Sequence, residues 1–202
     1  MFGRRYWAVP SVRPNMNPFS RAPDSSDSAA DRGFDDWDAF VPENVPDPGP
    51  FLADHDVLAG SRHASFHALT RECFEDRGVY DATFGYNLAK LNLDRRHPEA
   101  GFRYAEDADD PAVLRAEFTP TTEFCPQADA LVKGAFRAWN GLRDRHEYDL
   151  VRVRVHPSHH QAAGLNEALE RLEAEFRETG VVPGASDGTG FESDDGNVTS
   201  PF

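Results

Sequence analysis

The chain has 202 residues and a formal net charge of −14, with 21 basic residues against 35 acidic ones. This surplus of carboxylates argues against a nucleic-acid or anionic-membrane surface, because phosphate groups would be repelled. Only Lys90 and Lys133 are lysines, and an acid-rich, lysine-poor composition is typical of proteins that stay soluble in high salt.

Neither the membrane nor the secretory pathway has a signal in this sequence. No stretch approaches the roughly 20 apolar residues that span a bilayer, and the first ten residues lack the apolar run of a secretory signal. Cys73 and Cys125 lie far apart in sequence and do not form a disulfide framework. The sequence therefore predicts a protein of a reducing cytoplasm with no membrane partner.

Composition divides the chain into three segments. Residues 1–51 are acidic and Pro-rich and are predicted to be a largely disordered tail, because they bury too little apolar surface to offset their ordering entropy. Three aromatic residues at helical spacing, within 34–40, predict either a docking segment or a tail that packs on its own domain. Residues 52–180 have the usual size of a domain, and residues 181–202 are predicted to be a disordered C-terminal tail.

The first predicted helix covers residues 62–76. Phe66, Cys73 and Phe74 share its apolar face, so the spacing predicts a structural role for Cys73. His63 and His67 stand four residues apart on the other side and are expected to be exposed.

Further along the chain, alternation and 3.6-residue periodicity predict three strands and two helices. We expect a strand at 85–93, a charged surface loop at 94–110, a strand at 113–119, a helix at 127–142, a strand at 150–155 with Arg152 and Arg154 facing outward, and a helix at 165–177. The order α-β-β-α-β-α predicts an α+β fold, in which helices pack on a small mixed sheet of about three strands.

Cys125 lies in the predicted turn between a strand at 113–119 and a helix, with Pro126 at a plausible first helical position. The partial positive charge of a helix N-terminus favours the thiolate, which is the nucleophilic and metal-binding form. The alternative is that Cys125 is a small buried apolar side chain.

Three histidines, His156, His159 and His160, follow the last predicted strand. Parallel pairing of that strand with the strand before Cys125 would bring them near the thiol, and antiparallel pairing would place them at the opposite edge. If they lie near the thiol, the histidines are candidates for zinc or iron ligands, or for the base of a cysteine nucleophile. The alternative is a polar loop whose histidines cap the next helix or face solvent.

The most distinctive motif is Phe-Thr-Pro-Thr-Thr-Glu-Phe-Cys-Pro-Gln-Ala at 118–128, followed by Val-Arg-Val-His-Pro at 153–157 and then by His160 and Asn166. This pattern resembles the iron–sulfur assembly domain of the SufT/PaaD-like family, which includes the eukaryotic cytosolic iron–sulfur targeting subunit. The resemblance covers roughly residues 64–176.

The resemblance implies a non-enzymatic factor in iron–sulfur cluster assembly or transfer, which acts through protein contacts. The family's functional cysteine falls on Cys125, so Cys125 is implied to be the functional thiol. The implied supporting loop residues are Thr121, Thr122 and Pro126, and the accessory candidates are His156, His160 and Asn166. The implied partners are iron–sulfur assembly or client proteins, with a homodimer as a further possibility.

Two other readings of the sequence stay open. One is a thiol-dependent enzyme with Cys125 as nucleophile and His156 or His160 as base, and the other is an interaction module with an inert cysteine. A single thiolate supplies one of the usual four ligands of zinc or a cluster. We therefore expect no stably bound cofactor, at most a transient iron–sulfur cluster, and a colourless purified monomer.

Overall fold

A computed structural model describes residues 33–184. The predictions of disorder for 1–32 and 185–202 lie outside the described residues. Within 33–184, three main helices combine with a four-stranded mixed sheet and a two-stranded hairpin. The predicted α+β class is confirmed. No helix in this range is both long and apolar enough to cross a membrane.

Eleven elements follow one another in the described range. They are β1 (Asp56–Val57), α1 (Gly60–Arg77), β2 (Tyr80–Asp81), β3 (Tyr86–Asn87), a 3₁₀ helix (Leu88–Leu93), β4 (Gly101–Glu106), β5 (Val113–Thr119), α2 (Ala128–Gly141), a short 3₁₀ helix (Arg143–Arg145), β6 (Leu150–Val155) and α3 (Ala162–Thr179).

The main sheet has the strand order β1-β4-β5-β6. All neighbours are antiparallel except β5 and β6, which run parallel with Phe118 opposite Val155. A parallel pair needs a crossover connection, and α2 provides it. The carboxyl ends of β5 and β6 therefore meet at the same edge of the sheet, which settles the pairing that the sequence left open.

One side of the sheet, the helix face, is apolar. Leu114, Ala116 and Phe118 of β5 alternate with polar residues and point to this side, as do three valines of β6. α1 and α2 cover the face, and Trp139 of α2 is fully buried there against Phe102. The predicted strands at 113–119 and 150–155 and the predicted helix at 127–142 agree with these elements.

The strand predicted at 85–93 is wrong. Only Tyr86–Asn87 forms a strand, and Leu88–Leu93 is a 3₁₀ helix packed against α1. The side chain of Asn87 caps this helix by accepting the backbone N–H of Ala89 at 3.0 Å. Leu88, Ala89, Leu91 and Leu93 are all buried, so their spacing satisfies a tight helix as well as an alternating strand.

The surface loop predicted at 94–110 is also wrong, because it contains β4 between β1 and β5. Phe102 and Tyr104 are fully buried. Gly101 has φ +119, and a side chain there would overlap with Asn92. The amide of Asn92 accepts the N–H of Phe102 at 2.8 Å and donates to its carbonyl at 2.7 Å, so β4 is held at its outer edge by a side chain.

The segment 33–51 packs on the domain, as the second alternative for its aromatic residues predicted, so the domain starts before residue 52. Trp37 stacks on His67 with ring centres 6.1 Å apart, and Phe40 lies 4.9 Å from His63. Both histidines are therefore buried, and the expectation that they are exposed is wrong. Burial lowers the pKa of His63 to about 2 and that of His67 to about 4.

The opposite side of the sheet, the strap face, is charged. Arg154 lies opposite Glu117 on this face, so it points away from the apolar side of β6 as the alternation predicts, and both side chains are buried. Residues 45–52, which we call the strap, cover this face, and the Phe51 ring lies about 5 Å from the guanidinium of Arg154. Glu173 of α3 forms ion pairs with Arg152 at 2.9 Å and with Arg154 at 3.0 Å.

Candidate functional site

The loop after β5 and the turn after β6 lie next to each other, because the two strands are parallel. We call residues 120–127 the cysteine loop and residues 156–161 the histidine turn. Together they contain every residue that the sequence assigned to the site except Asn166. Backbone hydrogen bonds and imidazole contacts join the two, which makes this edge of the sheet the candidate functional site.

Cys125 is partly exposed near the end of the cysteine loop. Its N–H donates to the carbonyl of Thr122, and its carbonyl accepts the N–H of Ala128, both at 3.3 Å. α2 begins at Ala128 with Gln127 as the preceding cap residue. Pro126 therefore lies before the helix and not at its first position, so Cys125 is farther from the helix N-terminus than the sequence predicted.

The imidazoles of two histidines bond backbone carbonyls of the cysteine loop. The Nε2 of His159 donates to the carbonyl of Cys125 at 3.2 Å, while its Nδ1 accepts the N–H of Gln161 at 3.2 Å. The carbonyl of Glu123 accepts from both the backbone N–H (2.9 Å) and the Nδ1 (2.8 Å) of His160. These imidazoles contact main-chain oxygens of the loop, and no described hydrogen bond joins either of them to the sulfur.

The other two accessory residues form hydrogen bonds within the histidine turn and at the end of β6. His156 accepts the N–H of Ser158 at its Nδ1, at 3.1 Å. Asn166 accepts the N–H of Val155 at 2.7 Å and donates to its carbonyl at 3.0 Å. Asn166 thus pins the end of β6, where the histidine turn begins, and it acts on the site by fixing the turn.

A cleft of about 340 Å³ adjoins the cysteine loop. Thr121, His156 and Ser158 line it on the side of the two loops, and His97 and Asp47 line it on the other. The sequence does not predict His97 or Asp47 at this site. His97 lies in a turn before β4 and Asp47 lies in the strap, and no local pattern connects either residue with Cys125.

Phe124 is the most conspicuous residue that the sequence analysis did not assign to the site. Its side chain is 61% exposed, although it is a large apolar group. Its ring lies 4.8 Å from that of His160 and is tilted by 40° to it. An exposed aromatic side chain is the type of residue that anchors protein–protein contacts.

Cys73, in contrast to Cys125, is not exposed. It is fully buried on the inner side of α1, as its helical spacing predicts, and burial raises its pKa to about 11. In residues 33–184, no group of three or more histidine, cysteine or acidic side chains is placed to hold a metal ion. The arrangement therefore offers one partly exposed cysteine, which is next in sequence to an exposed aromatic residue.

Comparison with known proteins gives a family but no characterised relative. No curated protein and no solved structure matches the chain. One family model, described as Domain of unknown function (DUF7998), matches residues 32–183. The match begins at the segment that packs against α1 and includes both loops of the candidate site. The chain belongs to this DUF7998 family.

Proposed function

We propose that this protein is a non-enzymatic factor in iron–sulfur cluster assembly or transfer, which acts in the cytoplasm through Cys125 and through contacts with other proteins. The observation that carries the proposal is the presentation of Cys125. The imidazoles of His159 and His160 bond backbone carbonyls of its loop, and Cys125 is partly exposed next to the exposed Phe124.

Cluster chemistry is compatible with a single presented thiol. The thiolate is the form of cysteine that binds iron, and clusters are usually held by four cysteine ligands. Cys125 would supply one ligand to a cluster in transit, and the assembly or client protein, or a second copy of this chain, would supply the others. The cluster is cargo in this proposal and not a resident cofactor.

The resemblance to the SufT/PaaD-like domain supports the same assignment. Its most specific block, residues 118–128, forms the end of β5 and the cysteine loop. Thr121, Thr122 and Pro126 would shape that loop. His160 and Asn166 would keep it in place, since their recorded hydrogen bonds go to backbone groups.

The test is capture of partners from source cells with the tagged full chain. The wild-type chain should recover proteins of cluster assembly or iron–sulfur clients, and Cys125→Ser should recover several-fold less of them. Cys73→Ala is the matched control, since it removes the other thiol from a buried position, and it should recover as much as wild type.

Two outcomes would overturn the proposal. Recovery of neither class of partner above background would remove the role in cluster assembly. Equal recovery by Cys125→Ser and wild type would show that Cys125 is inert, and the chain would then be an interaction module.

A further inference from the structure

The carboxylate of Glu117 is the main hydrogen-bonding contact between the strap and the sheet. Glu117, in the middle of the strap face, accepts the N–H of Gly49 at 2.6 Å and the N–H of Phe51 at 3.2 Å. Arg115 completes the attachment by donating to the carbonyl of Phe51 at 3.1 Å. Glu117 is only 1% exposed, so these backbone groups replace the water that a carboxylate would otherwise require.

At Gly49 the strap also meets the histidine turn. A Cβ atom on Gly49 would overlap with both Oε1 of Glu117 and Cδ2 of His156. At Gly49 the strap, the carboxylate and the imidazole are therefore in close contact. Because interiors packed in this way transmit displacement, a shift of the strap must move Glu117, His156 or both.

His156 leads directly to the groups that hold the cysteine loop. Its carbonyl accepts the N–H of His159 at 3.1 Å, and its Nδ1 accepts the N–H of Ser158 at 3.1 Å. His159 and His160 then bond the carbonyls of Cys125 and Glu123. The contacts run without a break from the strap to the backbone on either side of the exposed Phe124.

From this continuity we infer that the strap, through Glu117 and His156, is the positioning element that sets how far the Cys125 thiol is exposed. The inference rests on the proposed role of Cys125 as the functional thiol. With the strap seated, the histidine turn holds the cysteine loop close to the sheet. With the strap displaced, the turn shifts, the two carbonyls lose their imidazole partners, and the thiol becomes more accessible. Regulation of the site would therefore act on residues 45–52.

The experiment measures alkylation of each cysteine by iodoacetamide in the purified full chain, with the two sites separated by peptide mass spectrometry. Gly49→Ala should raise the Cys125 rate about fivefold, which corresponds to the ~1 kcal/mol net contribution of one hydrogen bond. Gly164→Ala is the matched control, because a Cβ there meets no atom within 4 Å. It should leave the rate unchanged.

Cys73 distinguishes positioning from general loosening. It is fully buried, so it reacts only when the domain opens. A rise at Cys125 alone supports the inference. An unchanged Cys125 rate in Gly49→Ala, or a parallel rise at both cysteines, overturns it. If circular dichroism shows that Gly49→Ala does not fold, the alkylation rates of Cys125 and Cys73 are measured in Glu117→Gln and judged by the same criteria.

The labelling needs neither a cluster nor a partner, so its outcome is separate from that of the proposed function. An unchanged rate defeats the role of the strap and leaves the role of Cys125 standing. If Cys125→Ser captures as much partner as wild type, the proposed function is wrong, but the coupling between strap and loop is not affected.

Discussion

The two faces of the sheet are covered in different ways. On the helix face, α1 and α2 bury apolar side chains such as Phe118 and Trp139, and the attraction is non-directional. On the strap face, an irregular segment covers Glu117 and Arg154, and each buried charge requires a partner of matching geometry. The helix face therefore supplies stability, while the strap face is the one that can fix particular atoms near the candidate site.

The largest effect should come from the helix face. Trp139→Ala should lower the free energy of unfolding by about 4 kcal/mol, because it leaves a cavity among aromatic rings and removes a hydrogen bond to Thr70. Urea denaturation measures this loss. Tyr80→Ala is the control, since Tyr80 is 45% exposed, and it should cost less than about 1 kcal/mol. Similar losses in both variants would contradict the description of the core.

The strap face should give the next largest effect. Glu173→Ala removes the shared carboxylate partner of Arg152 and Arg154. Since this leaves a buried guanidinium without its main partner, we expect a loss of about 3 kcal/mol. Glu167→Ala on the same helix removes an exposed ion pair with Arg171 and should cost less than about 0.5 kcal/mol. A loss below 1 kcal/mol in Glu173→Ala would show that the strap face is not held by its charges.

The pH dependence of stability tests the burial of His63 and His67 on α1. Below about pH 6.5 the unfolded chain takes up a proton at each histidine, while the folded chain does not, because burial lowers the folded pKa values to about 2 and about 4. The unfolded state therefore binds more protons, and stability falls as the pH is lowered through 6.5. Between pH 7.5 and 5.5 the two histidines together should cost about 3 kcal/mol.

His63→Phe should remove about half of that loss, because it removes one of the two histidines. The new ring would pack beside Phe40 and Tyr104, the present neighbours of His63. Urea denaturation at both pH values measures the difference between variant and wild type. Equal pH dependence in the two proteins would mean that His63 is protonated as readily in the folded chain as in the unfolded one.

The elements that the sequence predicted well are those of the helix face. β5, α2 and β6 have regular periodicity because each buries one side against one layer. β4 was missed because charged residues flank it and because Arg103, within it, points to the strap face, where it is buried. The burial of His63 and His67 has no local signal, because the segment that covers them is more than 20 residues away along the chain.

The candidate site was predictable in its residues but not in its arrangement. The pattern around Cys125 singled out the cysteine loop, and three histidines within five residues singled out the histidine turn. Which atoms meet depends on the parallel pairing of β5 and β6, and no local pattern encodes that pairing. The strap contact at Gly49 was beyond local analysis for the same reason, since Glu117 lies 68 positions away.

The measurement that tests the central claim most directly is the activity of an iron–sulfur enzyme in source cells that lack this protein. The account predicts that activity falls in these cells, and that wild type and Cys73→Ala restore it, while Cys125→Ser does not. Full restoration by Cys125→Ser, at equal protein levels, would contradict the claim that this thiol carries the function.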